Sequence, residues 1–173
     1  MPNYIHIGTI VATSGLQGAV ILRHELGEDV DLQALSPIYI APNPDSFIPY
    51  FPESLTARRP AEALVKLDGT DSRETARSLI KKKVYLEREL FDRLVSPDSD
   101  LFYLGFTIVD EKEGALGKIV EIIRSPDQLI ARIDEGPHEL LIPLSAHTLQ
   151  RTDRANKRLY VRLPDGLLDV YRS

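Results

Sequence analysis

The stretch Tyr4-Ile5-His6-Ile7-Gly8-Thr9-Ile10-Val11 alternates apolar positions and is rich in β-branched side chains, the pattern of a half-buried strand. Working outward, Thr13-Ser14-Gly15-Leu16-Gln17-Gly18 supplies a turn, and Ala19-Val20-Ile21-Leu22-Arg23-His24 a second apolar run. Two glycines three apart between such runs predict a hairpin whose loop needs positive φ or a close backbone approach. Gly8, Gly15, Leu16 and Gly18 are the residues assigned to shaping that loop. Short strands are expected at 37–41, 47–51 and 63–66, separated by turns rich in Pro and Asn.

One helix is expected, over 71–83. Asp71-Ser72-Arg73-Glu74 opens it with an acidic N-cap and Glu three residues on, a pairing that satisfies free N–H groups reciprocally. Ala76, Leu79 and Ile80 share one face, and Lys81-Lys82-Lys83 suit the negative end of the helix dipole. Val84-Tyr85-Leu86 reads as a returning strand. The pattern then fades from Phe91 to Asp100, and Ser96-Pro97-Asp98-Ser99-Asp100 has linker composition. This predicts a domain over 1–90, a linker at 91–100 and a second domain over 101–173.

In the second half, strands are expected at 103–110, 116–123, 128–133, 138–142, 148–151 and 158–162. The turns between them fall at 111–115, 125–127, 134–137 and 153–156. Six short strands with regular turns suggest a small barrel. The fold class expected is therefore all-β, with one or two short helices.

Composition narrows the chemistry. The 173 residues include no Cys, which excludes disulfides, thiolate zinc sites and iron–sulfur clusters. The net charge of −5 argues against coating nucleic acid by bulk electrostatics, so any RNA contact has to be local or made through a protein. The start of the chain lacks the pattern of a signal peptide and no run is apolar enough to span a bilayer; a cytoplasmic protein without membrane contact is expected.

No catalytic constellation emerges. His6, His24, His138 and His147 are not spaced as metal ligands. Gly15-Leu16-Gln17-Gly18 lacks the Gly-Lys-Ser/Thr of a phosphate loop and leads into a strand rather than a helix. Ser145 and His147 have no nucleophile elbow around them. A non-enzymatic protein with no cofactor and no metal is expected. Binding candidates remain. Lys81, Lys82 and Lys83 form the strongest basic cluster, with Arg73, Arg77 and Arg88 as candidate neighbours, and offer a local contact to nucleic-acid phosphates. Arg151, Arg154, Lys157 and Arg158 surround the 153–156 turn as a second basic group. Leu101-Phe102-Tyr103 follows the linker, where exposed aromatics would favour protein contact.

Several stretches together resemble the RimM family of bacterial 16S rRNA processing proteins. The family's Gly-x-Ile-x-x-x-His-Gly-Leu-x-Gly-Glu opening is matched by Gly8-Thr9-Ile10 and Ser14-Gly15-Leu16-Gln17-Gly18-Ala19, with Ser14 and Ala19 in place of His and Glu. Phe47-Ile48-Pro49-Tyr50-Phe51 is similar to its middle strand, and the 71–83 segment with Val84-Tyr85-Leu86 to its Ala-x-x-Leu-Lys-Gly-x-x-Val/Leu-Tyr-Val segment. In the second half, Leu104-Gly105-Phe106-Thr107-Ile108-Val109-Asp110, Leu116-Gly117-Lys118-Ile119, Leu141-Ile142-Pro143 and Pro164-Asp165-Gly166-Leu167-Leu168-Asp169 resemble the successive signatures of a PRC barrel.

The resemblance covers essentially the whole chain in order. It implies a six-stranded, translation-protein-like β-barrel followed by a PRC β-barrel. It also implies a monomeric maturation factor that binds the immature small (30S) ribosomal subunit and assists folding and processing of the 3′ head domain of 16S rRNA. The implied partner is a head protein, small-subunit protein nineteen. The implied contact surface is Ser99, Asp100, Leu101, Phe102, Tyr103, Gly105 and Pro143. The family's Tyr-Tyr pair before the first PRC strand falls at Ser99 and Asp100, which leaves Phe102 and Tyr103 as the aromatics able to replace it. Three alternatives stay open: direct rRNA binding through the basic patch, a PRC-barrel adaptor unrelated to ribosomes, and an enzyme or ligand-binding role by fold analogy.

Overall fold

The computed structural model describes residues 3–135 and 137–172, apart from the side chain of Glu135. Gly136, within the expected 134–137 turn, lies outside the described residues. The chain divides into two units, one ending at Ser99 and the other beginning at Asp100.

In the first unit, β1 (Tyr4–Ser14) and β2 (Ala19–His24) form the expected hairpin. β3 (Ile38–Asn43), β4 (Ser46–Tyr50), β5 (Pro52–Arg59), β6 (Glu62–Leu67) and β7 (Lys83–Glu87) complete a seven-stranded sheet in the order β4-β3-β7-β1-β2-β6-β5. The expectation of six strands is thus corrected to seven. β5 escaped the sequence pattern because it is an edge strand with one buried side chain, Leu55, and it starts at a proline, which edges tolerate. The alternation in β1 does its work: Ile5, Ile7 and Ile10 are buried with Leu22, Ile40, Val65 and Leu86. Each such side chain contributes roughly 1.5–3 kcal/mol on leaving water. At Gly8 the β1 register shifts, and a Cβ there would meet the Arg23 carbonyl oxygen at 2.1 Å, so β1 and β2 cross closer than a side chain permits.

The expected 71–83 helix is shorter. α1 spans Arg73–Arg77 and is capped by Ser72, whose hydroxyl accepts from the Thr75 N–H, not by Asp71. Asp71 instead pairs with Lys66 Nζ at 2.9 Å. Beyond Ser78 the chain proceeds by three-residue turns to Lys82, and Lys81 adopts φ 72°, which no helix continues through. A second correction concerns the stretch read as patternless from Phe91. α2 (Arg88–Leu94) runs through it and buries Phe91 completely. Of its apolar residues Leu90, Phe91 and Leu94, only Phe91 is fully buried, and seven residues are too few for a firm periodic signal.

The second unit holds β8 (Thr107–Asp110), β9 (Gly114–Arg124), β10 (Leu129–Glu135), β11 (His138–Leu144), β12 (Leu149–Asp153) and β13 (Arg158–Val161). Their order is β11-β10-β9-β8-β13-β12, antiparallel except for the β8–β13 pair. Phe106, Ile108, Ile133, Leu140, Ile142 and Leu159 are fully buried at its core. Residues 103–106, expected to begin the first strand, belong instead to a 3-10 turn (Asp100–Tyr103) and the bend after it. A short α3 (Leu167–Arg172), absent from the sequence expectation, packs against β11 through Leu168. The molecule is all-β in class, with a few short helices.

Candidate functional site

In the first unit, the β1–β2 loop and the segment around α1 are built as one ridge. Gly15 and Gly18 both take positive φ, 69° and 93°. Gly18 is buried against Thr70, while Leu16 at the loop's tip is 74% exposed. The end of the α1 segment is tied back to β1, since the Lys81 N–H donates to the Ile10 carbonyl at 2.7 Å and the Ile10 N–H to the Lys82 carbonyl at 3.1 Å. These bonds fix the backbone of the lysine cluster while Lys81 and Lys83 project into solvent. Lys82 Nζ donates to the Pro42 carbonyl at 3.4 Å. Arg73 and Arg77 are exposed on α1. Arg73 and Arg77 stand one turn apart on α1, and the three lysines follow at the end of that segment. Arg88 is instead engaged on α2, with Asp92 at 3.0 Å and the Phe91 ring at 5.6 Å.

The same unit holds a cleft of about 530 Å³ that the sequence did not announce, lined among others by His24, Glu28, Leu55, Arg58 and Arg59. His24 is 4% exposed and its Nδ1 accepts the Leu26 N–H at 3.2 Å; burial holds its pKa below the usual imidazole range. Beside the cleft, Glu62 is faced by Arg23, Arg58 and Arg59, at 3.4, 2.8 and 3.8 Å. Desolvation pushes the Glu62 carboxyl up, but the arginines outweigh it and hold it low.

In the second unit, the residues expected to meet a protein partner divide. Leu101 and Phe102 are buried, each 7% exposed, so they are not the open aromatic surface the sequence suggested. The polar linker sits next to an apolar turn, and the core takes the rings. Tyr103 stays half exposed and packs edge-on against Phe106, with ring centres 5.4 Å apart. Ser99 donates its N–H to the Ser96 carbonyl in the first unit, and Asp100 pairs with Arg124 at 3.2 Å in the second. Gly105 takes φ 82° and donates to the Ile119 carbonyl, which turns the chain into β8. Pro143 is half buried on the edge strand β11, and its carbonyl accepts from the Thr148 hydroxyl at 2.7 Å.

Folding brings a further group to Phe102 that sequence reasoning had kept separate. The β12–β13 turn places the Arg154 guanidinium 5.4 Å and the Lys157 Nζ 4.8 Å from the Phe102 ring centre. Arg151 lies 4.1 Å over Tyr160. Contacts of this kind contribute roughly 0.5–1 kcal/mol each at exposed sites, enough to bias a side chain's position. Among the described residues, no cluster of three or more His, Asp or Glu is arranged to hold a metal ion, and no helix is long and apolar enough to cross a membrane.

Fold and sites together define a tandem all-β protein whose candidate contacts are a glycine-shaped loop, basic turns and the aromatic entry to the second sheet. The RimM N-terminal domain family matches residues 5–91, and the RimM PRC barrel domain family matches residues 100–167. The chain belongs to the RimM family. Among curated relatives, the ribosome maturation factor RimM of Christiangramia forsetii is 25% identical over 96% of this chain and 95% of its own length. That of Amoebophilus asiaticus is 29% identical over 97% and 96%, and that of Phocaeicola vulgatus 33% identical over 70% and 73%. Among solved structures, a 16S ribosomal RNA processing protein RimM of Pseudomonas aeruginosa aligns over 94% of this chain and 98% of its own, with 18% identity and a TM-score of 0.44.

Proposed function

We propose that this chain is a ribosome maturation factor that binds the immature small ribosomal subunit and assists folding and processing of the 3′ head domain of 16S rRNA, without catalysing a reaction itself. The observation that carries this reading is the ordered match of both family domains, at 5–91 and 100–167. Curated relatives matched over nearly their whole length carry the name ribosome maturation factor. In this reading the second unit holds a basic head protein, small-subunit protein nineteen, through Asp100, Tyr103, Gly105 and Pro143, with Ser99 leading in. The net charge of −5 suits such a partner, because complementary fields speed encounter. The test uses the purified full chain against immature small subunits and against the isolated head protein. Co-sedimentation with the first and capture of the second are expected, both weakened by Tyr103→Ala. Retention of neither by the unaltered chain would overturn the reading.

A second contact, made by the first unit to rRNA phosphates, is supported by the exposure of Lys81, Lys83, Arg73 and Arg77. No carboxylate lies within ion-pair distance of these four among the described residues. Replacing Lys81, Lys82 and Lys83 by Ala should lower affinity for head-domain rRNA in a salt-dependent way. Unchanged affinity in that variant would remove the contact.

A further inference from the structure

We infer that the β12–β13 hairpin of the second unit is a docking site for an RNA phosphate backbone, with Arg151, Arg154 and Arg158 as its phosphate-binding side chains. The inference rests on the ribosome-maturation reading for the source of the RNA, while its chemistry stands on the hairpin itself. The first observation is that most other cations of this unit are paired; among the described residues Lys118, exposed on β9, is an exception. Lys112 pairs with Asp165 at 2.5 Å, Arg124 with Asp100 at 3.2 Å and Arg162 with Glu111 at 2.6 Å. Arg132 is held by Glu121, Asp134 and Glu139, and Arg172 by Glu113. Arg151, Arg154 and Arg158 are exposed, and no carboxylate lies within ion-pair distance of any of them among the described residues. The single acid inside the hairpin, Asp153, turns its oxygens to the backbone N–H and the Nδ2 of Asn156, at 3.1 and 2.9 Å. The Asn156 hydrogen bonds, and after them the charges of Arg151 and Arg158, hold Asp153 below the usual carboxylate range. None of the three arginines is closed into an ion pair with it, so their guanidinium groups remain to meet an outside partner.

The second observation is what supports those cations. Arg151 lies on the Tyr160 ring and Arg154 beside the Phe102 ring, and Lys157, in a left-handed turn position with φ 56°, places its amine over the same Phe102. A guanidinium resting on a ring keeps its N–H groups free in the guanidinium plane, where they can meet phosphate oxygens two at a time. Its preferred position also lowers the ordering cost of binding. Phe102 is itself buried, so the support is anchored in the core. The hairpin closes on β12, an edge strand of the sheet. A basic ribosomal protein is the wrong partner for such a surface, because like charges would meet; a polyanion is the right one. RNA fits better than an acidic peptide, because repeated phosphates match three guanidinium groups spread along a turn.

The test measures binding of the full chain to a labelled transcript of small-subunit rRNA across a salt series, with polyglutamate of equal charge as competitor. Arg151→Gln/Arg154→Gln/Arg158→Gln should lose about tenfold or more in affinity near 0.1 M salt, and its salt slope should fall by about two to three. Lysine at the same three positions should restore part of both. If thermal unfolding shows the triple variant to be misfolded, Arg154→Gln alone should still lower the slope by about one. Unchanged affinity and slope in the folded variants would overturn the inference. So would competition by polyglutamate equal to that by unlabelled transcript, which would assign the surface to an acidic protein. Co-sedimentation separates the two readings. Subunit binding by the unaltered chain with undiminished transcript binding by the triple variant defeats the hairpin site alone; transcript binding lost with the arginines but no subunit binding defeats the maturation reading alone.

Discussion

The Thr70 carbonyl oxygen occupies the place a side chain on Gly18 would need: a Cβ built on Gly18 would meet that oxygen at 2.0 Å. The contact joins the β1–β2 loop to the segment that enters α1, so the loop's shape and the position of the basic residues that follow depend on one glycine. Gly15, in the same loop, has φ 69° but open space around it. The pair separates two costs.

Gly15→Ala should cost only the left-handed backbone term, about 1–2 kcal/mol. Gly18→Ala adds backbone overlap that cannot relax by turning a side chain, a further 1–3 kcal/mol or so. Urea unfolding of both variants checks this, and equal midpoints would show that the Thr70 contact is not restrictive.

Leu16 is exposed where the loop's fold makes no use of it. Leu16→Asp should change stability by no more than about 0.5 kcal/mol. If the loop meets the subunit, the same substitution should reduce co-sedimentation, because a charge replaces an apolar anchor. Full binding at unchanged stability would show that Leu16 is not a contact.

Asp110 is a buried carboxylate that organises the second unit. One oxygen accepts the N–H groups of Lys112 and Glu113, each at 3.0 Å, and the other the Leu163 N–H at 3.2 Å. Asp110→Asn turns one acceptor into a donor facing a buried N–H, and should cost about 1.5–3 kcal/mol. Thermal unfolding measures it; a loss no larger than that of an exposed Asp, such as Asp127, would contradict this account.

His24 gives the first unit a pH dependence. Its folded pKa is depressed by burial below the unfolded value near 6.5, so the unfolded chain binds the proton more readily. Its contribution to stability is complete above about pH 6.5 and is lost as pH falls from there through the folded pKa. The loss approaches about 1.4 kcal/mol per pH unit within that window. His24→Gln should remove this component, seen as a flatter urea midpoint against pH over the same range. Parallel curves for the two proteins would show that His24 is not protonated differently on unfolding.

Much of the fold was legible because its signals are local. Alternation in Tyr4–Ser14 and in Arg158–Val161 marks strands whose one face is buried, and the glycines at 15 and 18 mark a loop that needs positive φ. The absence of cysteine and the charge of −5 narrowed the function classes without any structure. What stayed hidden lacks a local signature. β5 buries only Leu55, and α2 buries only Phe91, so neither repeats often enough to set a period. The helix at 71–83 was overextended because Lys81 is pulled to positive φ by its bond to Ile10, a residue on another strand.

The sequence by itself thus determined a β protein in two parts, the loop shaped by Gly15 and Gly18, and which residues carry charge. Only the tertiary structure decided which of those residues are available. Phe102 looked like a surface aromatic after a polar linker, yet it is 7% exposed and lies under Arg154 and Lys157, which arrive from a hairpin much later in the chain. Whether a charge is spent on a neighbour or left for a partner depends on distances of a few ångströms between strands, and the order of residues along the chain does not encode them until the sheet has formed.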